Sequence, residues 1–218
     1  MKVRVIAIAF PLSCVLAISG FLMSRMAKSQ PFGEKPYVIP TRHPVTKEME
    51  IAAENLKRTP APKFVLSDQN GDLISSDLLK SGKPTLLLFI KDGCPCSIES
   101  QPFFNDLAAK FGGDVHFLGI IDGSAKASQN FADANTVPFS ILVDPSKSLM
   151  KAFKIEASSS FAVIDGKGMI VTVSPGYNKA SLRQANFLLG TLSKTGPREF
   201  DDADVPEKIT AGCAFFSD

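Results

Sequence analysis

The sequence has no tryptophan and only two histidines among its 218 residues. It also lacks a glycine period, a sustained heptad and any strongly biased tract, which excludes collagen-like, coiled-coil and low-complexity proteins. The net charge is +2, and beyond residue 58 there are 18 acidic against 15 basic residues. A nucleic-acid-binding domain would concentrate lysine and arginine on its folded part, so we expect no nucleic-acid partner. The length fits one globular domain with additional segments.

The N-terminal segment contains a long apolar run. Residues 5–23 carry no charge and have basic residues on both sides. As a helix rising about 1.5 Å per residue, they would just span a hydrocarbon core of roughly 30 Å. A cleaved signal peptide is the alternative, but the small residues are poorly placed for its cleavage site. We expect residues 1–28 to be a membrane anchor or signal segment, the anchor being favoured.

Residues 29–59 are predicted to form a tether. Their first half carries four prolines, which favour an extended chain over a packed element. Residues 46–58 then have the apolar spacing of a short amphipathic helix, with Thr46 as its N-cap. His43 lies in the extended part and is interpreted as an exposed linker histidine.

Strands and helices alternate between residues 60 and 195. Residues 85–90 are a continuous apolar run, which is typical of a strand buried on both faces, and residues 115–121 are predicted to form a second buried strand. Residues 97–111 between them have helical spacing, and a hairpin pattern near residues 161–173 precedes a last helix. The pattern predicts an α/β fold in which helices cover both faces of a mixed sheet.

Cys94, Pro95 and Cys96 lie where a buried strand ends and a helix begins. Backbone N–H groups at a helix N-terminus stabilise negative charge, so a cysteine there is expected to be rich in thiolate, the reactive form. Pro95 suits the first helical position because its missing N–H would have no partner within the helix. We expect Cys94 to be the exposed, attacking thiol and Cys96 to resolve the mixed disulfide.

The order of elements in residues 60–193 resembles the thioredoxin fold in its redoxin variety. That group includes membrane-tethered thiol-disulfide oxidoreductases and peroxiredoxins of the alkyl-hydroperoxide-reductase type. The segments that carry the resemblance are the strand 84–90 before the cysteines, Pro102 in the following helix, residues 137–145 and residues 161–168. The resemblance implies a thioredoxin-like mixed sheet and disulfide exchange with a protein substrate and a redox partner, without a cofactor or metal.

Two departures affect the predicted site. The oxidoreductases of the family have two residues between the cysteines and this chain has one, so a disulfide between Cys94 and Cys96 would be strained and easily reduced. The family's cis-proline, beside which substrates dock, falls near Ser158, where no proline is present. The resemblance assigns Pro95 and Ser158 to substrate binding.

Three other interpretations of the same cysteines remain open. A copper-binding carrier of this fold would use both sulfurs, although such carriers have three residues between the cysteines and a histidine in a late loop. A peroxiredoxin-like peroxidase would need a Pro-x-x-x-Thr-x-x-Cys context, which does not precede Cys94. A structural disulfide or two inert buried thiols is the third alternative.

The C-terminal tail, residues 196–218, runs from an acidic stretch into Gly212, Cys213 and two phenylalanines. We expect Phe215 and Phe216 to dock on the domain, because closing a loop over such an arm costs little entropy. Cys213 would then reach the active site as a third catalytic thiol; an incidental cysteine is the alternative. Together with the anchor, the few cysteines indicate a domain on the extracytoplasmic, periplasmic side of the membrane.

Overall fold

A five-stranded mixed sheet organises residues 42–216, the part of the chain that the computed structural model describes. In chain order the strands are β1 (His43–Pro44), β2 (Val65–Ser67), β3 (Leu73–Ser75), β4 (Thr85–Ile90), β5 (His116–Ile121), β6 (Ile141–Val143), β7 (Phe161–Ile164), β8 (Ile170–Ser174) and β9 (Thr210–Ala211). The helices are α1 (Lys47–Glu54), α2 (Pro95–Phe111), α3 (Ala125–Ala134), α4 (Ser148–Ala152) and α5 (Lys179–Ser193).

The strand order in the sheet is β6-β5-β4-β7-β8. Strand β4 lies at its centre, parallel to β5 and antiparallel to β7. Every residue of β4 is buried, as its continuous apolar sequence predicts. The turn that follows the carboxyl end of β4 therefore begins at the centre of the sheet.

Each face of the sheet has its own apolar core. On one face, side chains of α2 and α5 such as Phe104 and Leu189 pack against the strands. On the other face, Phe153 and Leu149 from the region of α4 pack together with Leu56, just after α1. The predicted α/β fold with helices on both faces of a mixed, thioredoxin-like sheet is therefore confirmed.

The described part of the predicted tether is packed on the sheet. Thr46 caps α1 by accepting a hydrogen bond from the N–H of Met49 at 3.3 Å, as expected. The helix ends at Glu54, earlier than the expected residue 58, and Ala53 joins the core. No helix within residues 42–216 is long and apolar enough to cross a membrane. The anchor predicted at residues 5–23 lies outside the described residues.

The tail returns to the domain and ends in its core. Strand β9 pairs with β1 in antiparallel register, with His43 opposite Ala211. Phe215 is 1% exposed and packs in the same core as Phe153, so its expected docking is confirmed. Phe216 stays 41% exposed, beside the ammonium groups of Lys147 and Lys151, and the expectation that it would be buried is wrong.

Candidate active site

Cys94 lies between β4 and α2 and is the N-cap residue of that helix, as predicted. Its backbone is extended, and the exposed Pro95 occupies the first helical position. Gly93 precedes it with a φ of 68°, a left-handed conformation that glycine adopts without steric cost. This glycine allows the chain to turn sharply from the buried strand into the helix.

The expectation that Cys94 is exposed is wrong. Cys94 is 3% exposed and Cys96 is 2% exposed. The cover comes from the tail, because the backbone N–H of Cys213 donates a hydrogen bond to the Cys94 Sγ at 3.3 Å. Cys213 itself is partly exposed, so it is the most accessible of the three thiols in the described part of the chain.

The thiols of Cys94 and Cys213 are in direct contact. The two sulfur atoms lie 2.7 Å apart, although the residues are 119 positions apart in the sequence. The Ser158 hydroxyl lies 3.4 Å from the Cys94 sulfur. The structure thus brings Cys94, Cys213 and Ser158 into contact and places the Cys96 sulfur within 4.8 Å of that of Cys213, so four of the five residues that the sequence nominated lie together.

The three thiols differ in acidity. Burial alone would raise the pKa of Cys94, but hydrogen bonds from the Cys213 thiol, the Ser158 hydroxyl and backbone N–H groups lower it to about 7. Burial, followed by the charge of Cys94, raises the pKa of Cys96 to about 12. Burial and the hydrogen bond to Cys94 raise the pKa of Cys213 to about 11. Cys94 is therefore the thiol that carries a negative charge near neutral pH.

Ser158 holds the tail through its backbone. Its N–H donates to the Cys213 carbonyl at 3.0 Å, and its own carbonyl accepts from the Gly212 N–H at 2.8 Å. A side chain at position 212 would place its Cβ 2.1 Å from the Ser158 Oγ, so it would push this hydroxyl away from the Cys94 sulfur. Ser158 was expected to bind substrate, and the position beside it is occupied by the chain's own tail.

Ser159 supports the cysteine turn, a role that the sequence did not indicate. Its φ is 60°, and its hydroxyl donates to the Cys96 carbonyl at 3.1 Å. The Ser100 hydroxyl donates in turn to the Ser159 oxygen at 3.0 Å. The run of three serines at 158–160 was the available signal, because consecutive small hydroxyl residues satisfy the polar groups of a buried loop.

His43 was also missed as a site residue. It is exposed, as the linker interpretation predicts, yet a ring nitrogen lies within 4.8 Å of the sulfurs of both Cys96 and Cys213. The pairing of β1 with β9 produces this proximity. The sequence could not show it, because the two strands come from opposite ends of the described chain.

Thiolate absorbance near 240 nm should rise in one step as the reduced protein is titrated, with its midpoint at about pH 7, the pKa of Cys94. The step should be absent from Cys94→Ser and should move to higher pH in Ser158→Ala, because the serine hydroxyl no longer stabilises the thiolate. A midpoint above pH 9 in the unaltered protein, near the ordinary range of cysteine, would contradict the hydrogen-bonded arrangement.

Residues 58–173 match the family model described as the AhpC/TSA family. A Coxiella burnetii protein described as peroxiredoxin bcp is 30% identical over 153 residues, which cover 68% of this chain and 93% of that protein. The thiol-disulfide oxidoreductase ResA of Bacillus subtilis is 30% identical over 118 residues, covering 53% of this chain and 65% of ResA.

The fold also matches a crystal structure of an uncharacterized conserved protein from Geobacillus kaustophilus. The TM-score is 0.59 at 20% sequence identity, with 74% of this chain and 92% of that chain covered. The family match spans β4, the cysteine turn and the Ser158 loop, whereas Cys213 and His43 lie outside the matched residues. The chain belongs to the AhpC/TSA family, a family of thioredoxin-fold redox enzymes.

Proposed function

We propose that the protein is a thiol-disulfide oxidoreductase in which Cys94 is the attacking thiolate. The observation that carries this proposal is the pairing of a Cys94 thiol whose pKa is lowered to about 7 with the Cys213 thiol 2.7 Å away. A nucleophile with a pKa near ambient pH combines a high thiolate fraction with good intrinsic nucleophilicity. A second thiol at contact distance supplies the group that completes the exchange.

The proposed reaction has two steps. The Cys94 thiolate attacks one sulfur of a substrate disulfide, forms a mixed disulfide with it and releases the other sulfur as a thiolate. The Cys213 thiol then loses its proton to the released thiolate and attacks the Cys94 sulfur, which frees the second substrate sulfur as a thiolate. The product is a Cys94–Cys213 disulfide, and an external protein thiol must reduce it before the next cycle.

Cys213 is favoured over Cys96 as the resolving thiol. The sequence alone pointed to Cys96, the second cysteine of the turn. Cys96 lies within the first turn of α2, and a disulfide between residues i and i+2 would close a small, strained ring. Cys213 comes from a separate segment and faces Cys94 directly.

The substrate is proposed to be an extended, cysteine-containing protein segment. The tail binds the Ser158 backbone through two hydrogen bonds, in the manner of an added strand. A substrate segment would make the same two bonds after displacing the tail, and the return of the tail would bring Cys213 back to Cys94 for the second step. Exposed Pro95 and Ile98, the latter 51% exposed, lie beside the cysteine turn and offer an apolar surface to such a segment.

Non-reducing peptide mapping tests the proposed disulfide. Trypsin leaves Cys94 and Cys96 in one peptide and Cys213 in the C-terminal one, so mild oxidation with glutathione disulfide should link these two peptides. The link should persist in Cys96→Ser and disappear in Cys94→Ser. Persistence in Cys94→Ser with loss in Cys96→Ser would show that Cys96 is the partner of Cys213 and would contradict the proposed pair.

Peroxide is the competing substrate, because a relative of this chain is described as a peroxiredoxin. The Ser158 hydroxyl and the Cys213 thiol are hydrogen-bonded to the Cys94 sulfur, whereas a peroxidase of this fold is expected to hold peroxide with a threonine and an arginine. The reduced protein should therefore reduce a disulfide-containing protein faster than hydrogen peroxide at equal concentrations. The opposite order would replace the proposal by a peroxidase.

We also propose that residues 5–23 anchor the chain in a membrane with the redox domain on the extracytoplasmic side. The uncharged run between basic residues supports a spanning segment, and the few cysteines of the chain support the extracytoplasmic side. Alkaline carbonate washing of cell membranes should leave the full chain in the membrane fraction, whereas release into the wash would exclude a spanning anchor.

A further inference from the structure

A second arrangement of donor atoms lies beside the proposed redox pair. One ring nitrogen of His43 and the sulfurs of Cys96 and Cys213 all lie within 4.8 Å of one another. The three residues come from β1, α2 and the tail, so only the folded chain brings them together. Two thiols and an imidazole are ligands that soft metal ions prefer.

The arrangement is accessible from solvent. A cavity of about 520 Å³ is lined by His43, Met49, Lys91 and Cys213, among others. Cys213 and His43 form part of its wall, whereas Cys96 lies behind them at 2% exposure. An ion entering this cavity would meet the His43 and Cys213 donors first, with the Cys96 sulfur within 4.8 Å of both.

The number of donors distinguishes between metals. Structural zinc sites in proteins have four ligands in a tetrahedron, and two thiolates bound to the same zinc at 2.3 Å are about 3.8 Å apart. The sulfur of Cys94 lies only 2.7 Å from that of Cys213, so both cannot bind one zinc ion in this arrangement. The remaining three donors leave a structural zinc one protein ligand short, whereas their two soft sulfurs suit monovalent copper, which is stable with three ligands.

We propose that the reduced protein binds one Cu(I) ion through His43, Cys96 and Cys213. The two thiols lose their protons on binding, the imidazole binds as the neutral base, and copper stays monovalent. The ion with two thiolates carries one net negative charge, which the positive side chain of Lys91 on the same cavity partly offsets. This set differs from the Cys94 and Cys96 pair that the sequence suggests for a copper carrier.

Copper and the proposed disulfide compete for one sulfur. A Cys94–Cys213 disulfide has no Cys213 thiolate to offer, so oxidised protein should not bind the ion at this site. The copper proposal does not depend on disulfide exchange as the activity, since it needs only the reduced thiols. Its test accordingly uses no turnover measurement.

The test is competition for Cu(I) with bicinchoninate under anaerobic conditions, with the full chain purified in detergent and reduced. The unaltered protein should withdraw one equivalent of copper from the coloured chelate. Removing a metal ligand should lower the Cu(I) affinity at least as much as removing a residue that orients a ligand. His43→Ala should therefore weaken Cu(I) binding by about tenfold or more. Cys96→Ala and Cys213→Ala should weaken binding by a similar factor.

His116→Ala is the matched control, because His116 lies in β5 with its ring hydrogen-bonded to Ser81 and takes no part in the donor group. It should bind copper as the unaltered protein does. A circular-dichroism melt of each variant separates loss of a ligand from loss of the fold. Because His43 is exposed, its variant should keep the fold.

Unchanged affinity in folded His43→Ala, or no copper withdrawn by the unaltered protein, would overturn the proposal. Zn(II) bound more tightly than Cu(I) would overturn the choice of metal.

Discussion

Cys94→Ser is expected to lower the rate of disulfide exchange by at least about a thousandfold, as removal of an enzyme's nucleophile commonly does. The serine hydroxyl is not ionised near neutral pH, and neither remaining thiol has a comparably low pKa, since those of Cys96 and Cys213 are raised to about 12 and 11. The measurement is stopped-flow reduction of a peptide disulfide by the pre-reduced full chain.

Cys213→Ser and Cys96→Ser are the matched controls for this result. Both should retain the first step, because the Cys94 thiolate remains. Cys213→Ser should accumulate the mixed disulfide between Cys94 and the peptide, which mass spectrometry detects, and Cys96→Ser should accumulate less of it. Equal accumulation in the two variants would remove the preference for Cys213, and full activity of Cys94→Ser would refute the assignment of the nucleophile.

Phe215→Ala is expected to lower the free energy of unfolding by about 3–5 kcal/mol, the range for phenylalanine removed from a packed core. Phe215 is 1% exposed and lies two residues after Cys213, so its loss also loosens the cover over Cys94. Alkylation of Cys94 by iodoacetamide should then become faster. Urea unfolding gives the stability, and peptide mapping gives the alkylation rate.

Phe216→Ala provides the comparison, since its ring is 41% exposed and lies near Lys147 and Lys151. A surface substitution of this kind should change the free energy of unfolding by less than about 0.5 kcal/mol. Similar effects of the two substitutions would mean that the tail is held by something other than the buried ring of Phe215.

The fold was largely predictable from the sequence because its signals are local. The five apolar residues that follow Thr85 in β4 and the capping position of Cys94 depend only on their immediate neighbours. The observed ends of helices and strands differ from the predicted ends by a few residues. Helix α1 is an example, because tertiary packing decides its last turn. The sheet followed from the alternation of these elements.

The site was predictable only in part because its decisive contacts are long-range. The identity of Cys94 followed from the cysteine turn, but its burial depends on Cys213, 119 residues away. The sequence placed Cys213 within reach of the turn without fixing which thiol it would touch. His43 became part of the thiol cluster only through the pairing of β1 with β9.

The cover over Cys94 also bears on chemical damage. A low-pKa cysteine is the kind most readily driven beyond sulfenic acid to sulfinic and sulfonic acids, which thiols cannot restore. Here that sulfur is 3% exposed, and the partly exposed Cys213 sulfur lies against it. An oxidant that reaches Cys94 and forms a sulfenic acid meets a thiol already in position to condense with it. The tail should thus convert an oxidised Cys94 into a disulfide, which thiols can reduce, and each molecule should stay active for longer.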